Sequence, residues 1–196
     1  MNKSLWLSST KQILIGVKLY YICSIIATIF GLSFLSLVPV IGPIGKMAAG
    51  ASVVGAFAFM YGVKAFKEAV DPADLPSVSK LYTSLILVIC AIFIDVIPVI
   101  GWIVTPIVNL VAFIFMLLAY KGLKGSESFP SPAKEGAQKL FIAMIIACVS
   151  AVVSIIPVIG SIIAAVIDIV VLIFVLGGWS LIAAEQTAAE PKVITE

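Results

Sequence analysis

Val38-Pro39-Val40-Ile41-Gly42 returns as Ile97-Pro98-Val99-Ile100-Gly101 and again as Ile156-Pro157-Val158-Ile159-Gly160. The prolines at 39, 98 and 157 stand 59 residues apart both times. Each copy lies between two apolar runs of about 20 residues, the length a helix needs to cross about 30 Å of hydrocarbon. Proline fixes φ and glycine permits φ > 0, so the pair reads as a tight reversal. Each copy then marks the bend of a helical hairpin: Pro39 and Gly42, Pro98 and Gly101, Pro157 and Gly160. The expected fold is an all-α integral membrane protein, with six transmembrane helices as three tandem parallel hairpins on a 59-residue repeat.

Composition points the same way. The chain is 62% hydrophobic and 11% charged, with mean hydropathy +1.25, far from a soluble globular domain. Backbone groups inside lipid must be satisfied within the segment, which makes the apolar runs helices.

Working outward from the turns, residues 1–18 read as an interfacial segment carrying Lys3, Lys11 and Lys18, with Trp6 near the headgroups and Lys11 and Lys18 interrupting any signal-peptide pattern. The first hairpin covers 19–70, a linker with Pro72 and Pro76 covers 71–77, and the second hairpin covers 78–124. A second linker, 125–132, leads to the third hairpin, 133–185, and a polar tail, 186–196, reads as disordered and cytoplasmic. All of it forms one membrane domain. The period extends beyond the turns. Tyr61, Tyr120 and Trp179 end the even helices as interfacial aromatics would, and Lys80-Leu81-Tyr82 matches Lys139-Leu140-Phe141.

All twelve basic residues are lysines, and only Lys46 falls on the side of the turns. The positive-inside rule therefore puts both termini in the cytoplasm, and the expected location is the cytoplasmic membrane of a bacterium or archaeon.

Several function classes drop out. The chain has no His, which removes His-based triads and metal sites. Cys23, Cys90 and Cys148 lie singly in apolar runs, at no metal-ligand or disulfide spacing. A net charge of +2 gives no basic patch for nucleic acid. No catalytic residue, cofactor or metal is expected. Asp95 and Asp168, the two acids in apolar runs, lie at different depths and in no Gly-x-Gly-Asp context, which argues against an aspartyl protease. Three parallel hairpins invite comparison with mitochondrial carriers. However, Pro39, Pro98 and Pro157 are followed by Val-Ile-Gly rather than that family's charge network.

The remaining candidates are polar residues at membrane depth. Asp168 aligns by the period with Asn109 and Gly50, each eleven residues past its proline, about 16 Å along a helix and near the midplane. If the even helices line a common axis, Asp168 and Asn109 meet there as an ion or proton site. Asp95 aligns with Ser36 and Ser154, nearer the turns, at the depth of Lys46. A Lys46–Asp95 ion pair is expected between hairpins one and two. Ala48, Ser52 and Ala56 fall four apart, a face that lets helices approach closely.

These features favour a membrane component without enzymatic activity, accessory or scaffolding, that works through helix packing. A small transporter or channel at Asp168/Asn109 is the alternative, and a membrane-shaping hairpin protein is a third. The expected partners are the lipid bilayer and another membrane protein or a second copy of the chain.

Overall fold

The computed structural model is all-helical, and it describes residues 3–31, 41–154, 156 and 159–184. Its helices are α1 Lys3–Gly31, α2 Ile41–Ala69, α3 Leu75–Asp95, α4 Ile100–Gly125, α5 Ser131–Val153 and α6 Ile159–Ala184. All six are long and apolar enough to cross a membrane, supporting a multi-pass membrane protein. Pro39, Pro157 and the tail 186–196 lie outside the described residues. Gly42 falls in the first turn of α2.

The breaks between helices have local causes. Asp71 accepts from the Ala73 amide at 3.1 Å, an Asx-type turn that ends the α2 direction, and Pro76 sits in the first turn of α3, where its missing N–H costs nothing. Pro130 in extended backbone and Pro132 in the first turn start α5 in the same manner. Between α3 and α4, the Ile100 amide donates to the Pro98 carbonyl at 2.8 Å, across Val99 at φ 66° and ψ −54°. That is a γ-turn of the strained, positive-φ kind.

No described glycine has positive φ; the left-handed residue is Val99. Gly101 is required by close approach instead. A Cβ there would stand 2.7 Å from the Ile94 carbonyl and 2.8 Å from that of Asp95. A Cβ on Gly160 would collide with the Val153 carbonyl in the same way. The flanking hydrogen bonds also correspond at 59 residues, Gly101 to Ile97 at 2.8 Å and Gly160 to Ile156 at 3.0 Å.

The helices close a ring in chain order. α1 contacts α2, α2 contacts α3, and so on until α6 returns to α1; among the described residues each helix contacts only these two neighbours. The core lies at the end where α1, α3 and α5 begin and α2, α4 and α6 finish. Trp6, Phe66, Leu81, Leu123, Leu140, Trp179 and Ile182 are all fully buried there. Trp6 meets the rings of Phe66 at 4.6 Å and Phe129 at 5.6 Å. Trp179 meets Phe59, Phe66 and Tyr120 at 5.8, 6.1 and 6.4 Å. The indole N–H of Trp6 donates to the Ile182 carbonyl at 2.9 Å and ties the first helix to the last. On the outside of the same end, Lys67 lies over Tyr82 and Lys124 over Phe141, bridging α2 to α3 and α4 to α5.

Residues 3–18 are therefore not a separate interfacial segment. They are the first half of α1, which runs unbroken from Lys3. Trp6, Ile13, Gly16 and Val17 share a buried face, and Lys3, Lys11 and Lys18 point out. Ser9 and Thr10 are buried without penalty because both hydroxyls donate to the Trp6 carbonyl, at 3.0 and 2.8 Å. Tyr120 and Trp179 are likewise core residues, and of the three aromatics ending the even helices only Tyr61 is exposed.

Candidate polar site inside the helix ring

Asp168 and Ser150 are the polar pair that the ring brings together. α6 carries Asp168, half-buried, and α5 carries Ser150, 4% exposed. The Ser150 hydroxyl donates to Asp168 Oδ1 at 2.7 Å and also lies 3.3 Å from the Ala164 carbonyl. Counted outward from Ile159, Ser150 and Asp168 stand nine residues to either side. Two antiparallel helices at one rise per residue bring such positions to the same height. This counting, rather than the 59-residue period, is the signal in the sequence that finds the pair.

Two cavities flank Asp168. One of about 320 Å³ is bounded by Thr28, Ser150, Ser154 and Ala164. The other, about 250 Å³, is bounded by Tyr20, Tyr21, Ser24, Thr28, Phe113 and Met144. Asp168 belongs to both walls. Residues from α1, α4, α5 and α6 face the second cavity, which places it inside the ring. The Tyr20–Tyr21 pair, with ring centroids 5.2 Å apart, also walls a smaller space of about 60 Å³ with Phe59, Leu85 and Met116. That space adjoins the aromatic core. The lining residues thus grade from hydroxyls near the turns, through Asp168, to aromatics at the other end.

Asn109 does not share these walls. It is exposed on α4 and lines a mostly apolar cavity of about 360 Å³ with Pro106, Leu110, Phe113 and Cys148. The period explains the difference. The residue 59 before Ser150 is Ala91, which has no hydroxyl to offer Asn109. The α3–α4 crossing is instead held by the Thr105 hydroxyl donating to the Ala91 carbonyl at 3.5 Å. Thr105 and Ala91 are the counterparts of Ala164 and Ser150.

Lys46 and Asp95 are both exposed, on the neighbouring helices α2 and α3, and among the described residues no ion pair joins them. Ala48 and Ala56 are buried and Ser52 is half-buried. Ala56 faces the small space beside Tyr20 and Tyr21. Close backbone approaches on α2 lie at Gly55, one residue from Ala56, against Tyr20 and at Phe59 against Gly16 of α1, with Gly62 against Ile13. One acid was not singled out by the sequence. Asp74, at the head of α3, is 2% exposed, and its Oδ1 has no partner among the described residues. The described Cys and acidic residues form no cluster able to hold a metal.

Set against known proteins, the chain matches no family model, no curated protein and no solved structure, so the functional reading rests on this geometry.

Proposed function

We propose that the chain is a small transporter or channel without enzymatic activity, working through Asp168 inside a ring of three tandem hairpins. The carrying observation is an ionisable side chain, hydrogen-bonded to Ser150, on the shared wall of two cavities between spanning helices. Carboxyl groups at membrane depth are costly and are retained where they serve an ion or proton path. The hairpin repeat is supported by the matching turn bonds of Gly101 and Gly160, and by the matching Thr105–Ala91 and Ser150–Ala164 crossings. On this reading the hydroxyl-lined mouth faces away from the cytoplasm, and the aromatic core, with both termini and eleven of the lysines, faces it.

The test is flux in sealed lipid vesicles containing the purified protein, under an imposed pH or cation gradient. Wild-type vesicles are expected to dissipate the gradient at least ten times faster than Asp168→Asn vesicles, and Asn109→Ala vesicles to match wild type. Equal rates for wild type and Asp168→Asn would end the reading.

An accessory or scaffolding role is the second reading, favoured by the outer face of α4, where Trp102, Ile103, Ile107, Leu110 and Ile114 are exposed in one stretch. Native mass spectrometry of the gently solubilised protein tests it. A second polypeptide in fixed stoichiometry supports the role, and a lone monomer or homo-oligomer counts against it.

A further inference from the structure

Resting on Asp168 as the working group of the interior site, we propose that its ligand is a single proton and that Ser150 switches acceptors with it. The Ser150 hydroxyl has one proton and two oxygens in reach, Asp168 Oδ1 at 2.7 Å and the Ala164 carbonyl at 3.3 Å. When Asp168 is neutral, its acid O–H donates to Ser150 Oγ, and Ser150 donates onward to the Ala164 carbonyl. When Asp168 loses the proton, the carboxylate can only accept. Ser150 then turns to Oδ1, where a charge-assisted bond outweighs a neutral one, and the Ala164 carbonyl loses its cross-helix donor. Each protonation state therefore selects one of two bonding patterns between α5 and α6.

The α3–α4 hairpin supplies an internal control. There Thr105 donates to the Ala91 carbonyl at the same crossing, and Asn109, standing where Asp168 stands in the last hairpin, carries no titratable proton. One crossing has a single hydroxyl acceptor in reach and the other has two.

The surroundings fit a proton better than a metal cation. A dehydrated cation needs several converging oxygens. The Thr28 and Ser154 hydroxyls, on the cavity wall, donate to carbonyls of their own helices, those of Ser24 at 2.9 Å and Ala151 at 2.7 Å, and among the described residues only Ser150 hydrogen-bonds to the Asp168 carboxyl. The titratable groups facing Asp168 are Tyr20 and Tyr21 of α1. α4 presents Phe113, and α5 presents Met144 and the hydroxyls of Ser150 and Ser154. Among the described residues no lysine lines either cavity.

Infrared difference spectroscopy between acid and alkaline pH, on the full chain in lipid vesicles, reads this directly. The wild type should show a neutral-carboxyl C=O band that titrates away and is missing in Asp168→Asn. In Ser150→Ala the band should move to higher frequency. Thr105→Ala should leave band and midpoint alone. A band unchanged in Ser150→Ala, or an Asp168 that does not titrate while the protein stays folded, would overturn the switch. A midpoint that falls with sodium or potassium but not with choline would make a small cation the ligand instead. Flux is a separate readout: titration without flux sinks the transport reading and keeps the proton site, and flux without titration does the reverse.

Discussion

Val99 is a β-branched residue at positive φ, a conformation that costs an L side chain on the order of 1–3 kcal/mol. Two residues on, Gly101 has an ordinary φ but no room for a Cβ. The two substitutions should therefore move stability in opposite directions. Val99→Gly relieves the γ-turn and, after the extra chain entropy of glycine, gains about 1 kcal/mol. Gly101→Ala drives a methyl into two carbonyls and loses about 1–3 kcal/mol. Thermal unfolding midpoints in one detergent check both, and a stabilising Gly101→Ala would refute the close-approach argument. The sequence displays that a turn exists here, because Pro-Val-Ile-Gly interrupts two apolar runs. It does not display which residue takes the strain, since that depends on how α4 folds back against the end of α3. Asp168 was legible as an acid in an apolar run, but its partner was not. The period leads along the chain to Asn109, whereas the actual contact runs from α6 across to Ser150 on α5.

At the scale of the element, the closest pairing is α1 with α2. Gly16 stands against Phe59 and Gly55 against Tyr20, backbone on backbone, with no side chain between them. Within α2, Gly50 has nothing within 4 Å of its missing Cβ. Gly55→Ala should therefore cost about 1–3 kcal/mol by forcing the helices apart, while Gly50→Ala should be neutral or gain up to about 1 kcal/mol of helix propensity. The comparison is made by thermal midpoint, and equal effects of the two changes would place the contact elsewhere. A small-residue pattern was visible in the sequence, but α2 is so rich in Gly, Ala and Ser that several registers satisfy it. Ala48, Ser52 and Ala56 form one such register, and the close approach of Gly55 to Tyr20 lies in the next. The length of α1 was hidden for a related reason. Three lysines break the apolar count, yet they share one face and leave Trp6, Ile13 and Val17 free to pack.

At the scale of the molecule, six helices in a closed circuit enclose an interior that differs at its two ends. Trp6, Phe66, Phe129 and Trp179 fill one end, and Thr28, Ser150, Ser154 and Asp168 line a cavity towards the other. The number and order of the long apolar helices follow from apolar runs and their punctuation. Closure of the ring does not, because it depends on α1 meeting α6, a contact between opposite ends of the chain that no local pattern announces. If Asp168 works inside this ring as proposed, the interior must be a water-accessible polar cavity sealed at the core end. Substituted-cysteine labelling tests it most directly. Single cysteines would replace Ser154, Thr28 or Phe59 in a chain whose Cys23, Cys90 and Cys148 are changed to alanine, and a charged, membrane-impermeant thiol reagent would be added from the side of the turns. Cysteines at 154 and 28 should react and a cysteine at 59 should not. Unreactive positions 154 and 28, or a reactive position 59, would contradict the account.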